Sequence, residues 1–136
     1  MPDEYLTPIP VVSCAVIRDG YILLLKRAIE PYIGKWALPA GHVEPDESAE
    51  RAIAREIKEE TNLDAEVTYI RSIGKKLNDR LAYLAMHYVS YVSNGDVVID
   101  EESLDYQWIP LERAALEAVD WAFTNHRDIA FELAEV

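Results

Sequence analysis

The sequence predicts an α/β or α+β domain built around a mixed β-sheet. Three observations predict it. Short apolar, β-branched runs are separated by turn signals at Asp19-Gly20 and Asn94-Gly95. One strongly periodic helical stretch, Glu47 to about Thr61, interrupts those runs. The C-terminal part then returns to helical patterning, so the order is strands, helix, strands, helices. With 136 residues the chain suits one domain, 1–136, and no repeat, low-complexity tract or linker divides it.

Taken in order, residues 1 to 10 hold three prolines and read as an extended lead-in. Val11 to Arg18 and Tyr21 to Arg27 flank Asp19-Gly20 and form a hairpin signature. Glu30 to Lys35, with Pro31 and Gly34, reads as a loop; Trp36 to Leu38 reads as a short strand before an irregular Pro39-Ala40-Gly41 turn. Pro45-Asp46-Glu47-Ser48 supplies helix-start chemistry, with Asp46 or Ser48 as the N-cap. In the helix, Ala49, Ala52, Ile53 and Ile57 recur at spacings of three and four, and Asn62 can end it in a left-handed conformation. Ala65 to Ile73 and Leu81 to Val92 read as strands, with Val97 to Ile99 and Tyr106 to Ile109 as shorter ones. Pro110 to Val119 and about Asn125 to Ala134 read as helices.

Composition limits the function. The net charge of −12 repels a phosphate backbone, so nucleic acid is not an expected partner; a small anionic ligand stays admissible where cations mediate the contact. No apolar run reaches membrane-spanning length, and Met1 to Tyr5 lacks the pattern of a secretory signal. Cys14 lies in an apolar run and, alone, makes neither an internal disulfide nor a cysteine-based zinc site. These features lead to an expectation of a cytoplasmic protein without membrane partners.

The stretch Glu47 to Glu60 carries the chemistry. Glu56, Glu59 and Glu60 fall within about 100° of arc on one helix. The i,i+4 pair Glu56 and Glu60 costs only about 0.2–0.5 kcal/mol on an exposed surface, which Arg55 offsets by reaching Glu59, as Arg51 does by reaching Glu47. A solvated acidic face and a cation site are therefore both open from the helix alone. Its surroundings favour the cation site: Gly41 can bring backbone carbonyls near, Glu47 can add a carboxylate from the preceding loop, and Arg55 can orient the cluster. Hard oxygen donors on one rigid face suit Mg²⁺ or Mn²⁺.

Gly41, Glu47 and then Arg55-Glu56-Ile57-Lys58-Glu59-Glu60-Thr61-Asn62-Leu63 are spaced as in the Nudix box, and the chain resembles the Nudix hydrolase family through them. Asn62 stands where that family usually has glycine. Leu24 to Arg27, Gly34 to Pro39 and Trp108 to Leu111 extend the resemblance outside the box. The resemblance implies an α/β/α sandwich with a mixed sheet and a loop–helix–loop motif, and Mg²⁺-dependent hydrolysis of a P–O–P linkage, with Mn²⁺ as a substitute. It implies Glu56 and Glu60 as metal ligands, Glu59 as ligand or base, the Gly41 carbonyl as a further ligand, and Glu47 paired with Arg55 or reaching metal through water. Glu102, with Glu101, is the later candidate for the general base.

The substrate is less legible. The resemblance implies a small nucleotide-type molecule. Arg27 matches a position that contacts phosphate in the family, and Tyr32 and Trp36 are candidates for stacking on a base, as are Tyr83 and Trp108. The proline marking ADP-ribose hydrolases is absent, with Asn78 and Asp79 in that region, although the lead-in and the Glu30 to Trp36 loop are similar to enzymes acting on ADP-ribose or related dinucleotides. A nucleoside diphosphate joined to a group X ranks first. A nucleoside triphosphate, or a non-catalytic nucleotide-sensing role, is the alternative. A homodimer is suggested by family analogy only.

Overall fold

The computed structural model describes residues 7–135. Strand β1 (Ile9–Arg18) and strand β2 (Tyr21–Arg27) form the expected hairpin, with Asp19 and Gly20 at φ 51° and 82°, the left-handed pair that a two-residue hairpin turn requires. The short strands β3 (Trp36–Ala37) and β4 (Ala40–His42) precede helix α1 (Ala49–Thr61). Strands β5 (Thr68–Lys76), β6 (Ala82–Tyr91) and β7 (Ser103–Pro110) follow, then helices α2 (Arg113–Glu117) and α3 (Thr124–Ala134). The fold is α/β: a mixed seven-stranded sheet with helices packed around it.

The split in that sheet positions the site. β1 pairs with β6 in parallel along its length, while its other edge pairs with β2 only near the turn, at Ile17 and Arg18. Farther along that edge it pairs with β4, Val11 to Ser13 against His42 to Ala40. β2 likewise turns from β1 to β3, pairing Leu25 and Lys26 with Ala37 and Trp36, while its outer edge pairs with β7. The hairpin strands therefore diverge, and residues 36–42 wedge between them. The sequence suggested an irregular turn at Pro39-Ala40-Gly41; Ala40 and Gly41 instead join β4, because the open edge of β1 offers backbone partners that only the folded sheet creates.

The alternation of β1 divides the core. Val12, Cys14 and Val16 pack with Ala52, Ile53 and Ile57 of α1, and Ala15 and Ile17 pack with Leu116, Ile129 and Ala130 on the other face. Burial of Ile53 and Ile57 contributes roughly 1.5–3 kcal/mol each. Cys14 is fully buried and burial pushes its thiol far above its ordinary range, as expected of an inert thiol.

Ser48, not Asp46, caps α1: its Oγ accepts the Arg51 N–H at 3.2 Å. Ser48→Ala is expected to lose about 1 kcal/mol, seen as a Tm decrease of a few degrees in thermal unfolding. Asn62 ends the helix at φ 70°, donating its N–H to the Lys58 carbonyl, so asparagine performs the left-handed cap. Two further expected elements differ. Val97 to Ile99 is not a strand, since the Val98 N–H donates to the Thr61 carbonyl and Val97 packs against the α1 core. The helix expected from Pro110 shortens to Arg113–Glu117, because β7 continues along β2 to Pro110. Of the expected lead-in, residues 1–6 lie outside the described residues, and Ile9 and Pro10 belong to β1.

Candidate active site

The wedge segment meets α1 at its last turns. Cys14 N–H donates to the Pro39 carbonyl at 3.0 Å, and the β4 pairing places Ala40 and Gly41 beside the helix. Ala40 N–H donates to Glu60 Oε1 at 3.2 Å. Gly41 passes so near Glu56 that a Cβ built there would lie 2.2 Å from its Cδ and 2.5 Å from Oε2. Glycine here serves close approach and not an unusual backbone angle: a side chain would have to displace the Glu56 carboxylate.

The helix phase then sorts the carboxylates. Glu60 follows Ile57 by three residues, which turns it into the buried stripe, where it is 8% exposed. Glu56 is nearly as enclosed, with 13% of its side chain exposed, whereas Glu59 is 55% exposed. Burial, and then the Glu56 carboxylate beside it, pushes the Glu60 carboxyl well above its usual range. The three glutamates are thus unequal: Glu56 and Glu60 face the wedge segment, and Glu59 faces outward.

Arg55 links the rest. Its Nε and Nη2 donate to the two oxygens of Glu47 at 2.8 and 3.0 Å, Nη1 to Glu56 at 2.7 Å and to Glu59 at 3.3 Å, and Nη2 to the His42 carbonyl at 3.1 Å. Glu47 lies in the loop before the helix, not inside it, and pairs with Arg55 instead of Arg51. The Arg55 hydrogen bond, with a further one from the Glu44 N–H, holds Glu47 down to about 2, while the carboxylates around Arg55 hold its guanidinium charged.

Pairing of β7 with β2 brings in Glu102. Arg27 stands opposite Ser103, and the Ala28 N–H donates to the Glu102 carbonyl at 2.9 Å. Partial burial and then Asp100 and Glu56 raise the Glu102 carboxyl, with Arg27 opposing. Arg27 itself donates to the Pro31 carbonyl at 2.7 Å and the Glu30 carbonyl at 3.3 Å, and its guanidinium lies 5.1 Å from the Phe123 ring centre. It therefore braces the Glu30 to Lys35 loop. Tyr32 is half exposed on that loop, edge-on to Phe123. Trp36 packs on the second core instead of standing free.

A polar layer beneath the wedge segment had no signature in the sequence. Ser13 Oγ and His87 Nδ1 are 2.5 Å apart, and His87 Nε2 is 3.4 Å from Asn125 Nδ2. His126 Nδ1 accepts the Leu38 N–H at 3.2 Å. Burial lowers His87 to about 4 and His126 to about 3, so both are neutral near pH 7. These residues are scattered through strand and helix patterns, and only the pairing Ser13↔His87 and the packing of α3 assemble them.

The residues fit a divalent cation. Glu56 and Glu60 supply hard oxygen donors, the glycine at 41 lets the Glu56 carboxylate take the space a side chain would fill, and the adjacent carboxylates lower their mutual repulsion by gaining positive charge. Among the described residues no three His, Cys, Asp or Glu side chains already converge as a cage, and Arg55 occupies part of the space between them.

Fold and site define the class: an α/β/α sandwich with a carboxylate cluster on a loop–helix–loop motif where the sheet divides. The chain belongs to the NUDIX domain family, whose model matches residues 7–129. It is 30% identical over 118 residues to an ADP-ribose pyrophosphatase of Methanocaldococcus jannaschii, covering 85% of this chain and 70% of that protein. It is 34% identical over 121 residues to a CTP pyrophosphohydrolase of Escherichia coli, covering 81% and 90%. Among solved structures, the MutT protein of Methanosarcina mazei superposes with a TM-score of 0.79 at 28% identity, covering 98% and 96%. The protein is accordingly an enzyme acting on acid anhydrides in phosphorus-containing compounds.

Proposed function

We propose that the protein hydrolyses the P–O–P linkage of a nucleoside diphosphate joined to a group X, with Mg²⁺ or Mn²⁺, and that ADP-ribose or a related sugar nucleotide or dinucleotide is its substrate class. The adjacent carboxylates of half-buried Glu56 and buried Glu60, set against Gly41, carry the reading, since they are a poor arrangement without a cation and a good one for hard-cation binding. Glu56, Glu60 and the Gly41 carbonyl hold the metal, with Glu59 as a further ligand or the base. Bound there, the metal supplies neutralisation of the diphosphate and a lower pKa for the attacking water.

The chain's own groups do the rest. Glu47 fixes the Arg55 guanidinium, which holds Glu56 and Glu59 in orientation. Glu102, whose carboxyl is raised by partial burial and then by Asp100 and Glu56, takes the proton of the attacking water in one assignment, and Glu59 does so in the other. The water oxygen bonds to phosphorus, the bridging P–O bond breaks, and the leaving phosphate keeps the bridging oxygen. Arg27, Tyr32 and Trp36 are assigned to substrate binding in this reading, with Arg27 donating to the Pro31 carbonyl, Tyr32 half exposed and Trp36 packed on the second core.

A second reading, hydrolysis of a nucleoside triphosphate to monophosphate and pyrophosphate, is favoured by the CTP pyrophosphohydrolase likeness. A panel of ADP-ribose, sugar nucleotides, dinucleotides and nucleoside triphosphates, each with Mg²⁺ or Mn²⁺, separates the two. The expected result is release of AMP and ribose 5-phosphate from ADP-ribose, or the corresponding pair from a related compound. EDTA is expected to abolish turnover and added metal to restore it. Turnover confined to triphosphates would select the second reading, and turnover unaffected by chelation would overturn the metal assignment.

A further inference from the structure

We propose that His126 is a positioning residue for the reaction: by accepting the Leu38 N–H it fixes the wedge segment that presents Ala40 and Gly41 to Glu60 and Glu56. The proposal rests on the reading of Glu56 and Glu60 as metal ligands.

Leu38 lies between the residues paired by β3 and those paired by β4, so no strand supplies a partner for its N–H. The residue is 3% exposed, which keeps its N–H from bulk water. A buried N–H without an acceptor is costly enough that segments rearrange to avoid it. His126 Nδ1 is the acceptor, at 3.2 Å. Since an amide N–H only donates, Nδ1 is unprotonated and the ring carries its proton on Nε2. Burial keeps the ring neutral, so this acceptor persists at working pH.

The ring is itself held. His126 sits in the first turn of α3, 5% exposed, with Phe123 4.9 Å away and His87 edge-on at 6.2 Å. The segment before α3 is tied to the same strand: Trp36 N–H donates to the Asp120 carbonyl and Ala122 N–H to the Trp36 carbonyl. Two residues beyond Leu38, the Ala40 N–H reaches Glu60. The chain from α3 to the carboxylate is thus His126, Leu38, Pro39, Ala40, Glu60, with the Cys14 N–H holding Pro39 from β1. Without the His126 acceptor the buried Leu38 N–H is left without a partner, and the peptide leading through Pro39 to the Ala40 N–H on Glu60 loses its tie to α3.

The test compares His126→Leu, which fills space without an acceptor, with His126→Asn, whose Oδ1 sits one bond beyond Cγ as Nδ1 does. Mn²⁺ affinity is read by electron paramagnetic resonance of free Mn²⁺, and kcat and KM with the panel compound turned over fastest. Displacing an aligned group costs about 10- to 100-fold. His126→Leu is expected to lose about tenfold in Mn²⁺ affinity and about 10- to 100-fold in kcat with KM within about twofold, and His126→Asn to recover most of both. A folded leucine variant with wild-type Mn²⁺ affinity and kcat, or an asparagine variant as impaired as the leucine one, overturns the proposal. Should the leucine variant not fold, imidazole ¹⁵N shifts of the wild type decide: a protonated Nδ1 overturns it, and an unprotonated, hydrogen-bonded Nδ1 supports it. Wild-type protein that binds no Mn²⁺ would overturn the metal reading itself, which is a separate result.

Discussion

Glu60→Gln is expected to lower turnover about 10³-fold or more while giving a folded, and in the absence of metal more stable, protein. Glutamine keeps the shape of the side chain and an oxygen for the Ala40 N–H, but not the charge that holds a cation. The sign of the stability change follows from Glu60 itself. Its carboxyl is raised in the folded protein above the 4.5 of an ordinary glutamate, by burial first and then by Glu56. Its contribution to stability is therefore full below about 4.5 and is lost as pH rises through the folded-state value. Metal-free wild type should become less stable relative to the glutamine variant as pH increases from 4 to 8. Thermal unfolding of both across that range, with and without Mg²⁺, measures it. Mg²⁺ should raise Tm in the wild type and much less in the variant. Parallel pH curves and equal metal shifts would remove Glu60 from the site.

Gly41→Ala should produce the second largest effect, through space and not charge. The added Cβ would fall 2.2 Å from Glu56 Cδ, 2.5 Å from Oε2 and 2.6 Å from Cγ, all inside contact distance. Moving the wedge backbone would break its pairing to Val12, so the Glu56 carboxylate yields instead. That carboxylate is held by Arg55, and its displacement disturbs the Arg55 contacts to Glu47 and Glu59 together. Loss of about 10²-fold in kcat is expected, with weaker metal binding and a Tm within a few degrees of wild type. Gly41→Ser, with the same Cβ, should behave alike. A fully active alanine variant would mean that Glu56 occupies another rotamer in the working enzyme.

Much of this was legible in the chain because it is local. The Asp19-Gly20 hairpin, the helix start narrowed to Asp46 or Ser48, the buried stripe Ala52, Ile53 and Ile57 and the Asn62 cap depend on near neighbours in the chain. The same periodicity put Glu56, Glu59 and Glu60 on one side of α1. It could not rank them, because their burial depends on where residues 36–42 run. Val97 to Ile99 carried a strand-like composition yet packs on α1, since strand propensity only has effect where an edge is free. His87 and His126 offered no spacing to recognise: one belongs to a strand pattern, the other to a helix pattern, and they meet only through the sheet.

The sequence by itself determined a mixed-sheet class, α/β or α+β, and the carboxylate helix, because periodicity and capping are written along one continuous stretch, and the interval from Gly41 to Leu63 carried the family and with it the α/β sandwich. Tertiary structure alone decided how the helix is used. The divergence of β1 and β2 opens the edge that β4 fills, which brings Gly41 onto Glu56 and the Ala40 N–H onto Glu60. The reason is physical: helix phase is fixed by neighbours within one turn, whereas desolvation of a carboxylate is fixed by whichever distant backbone covers it.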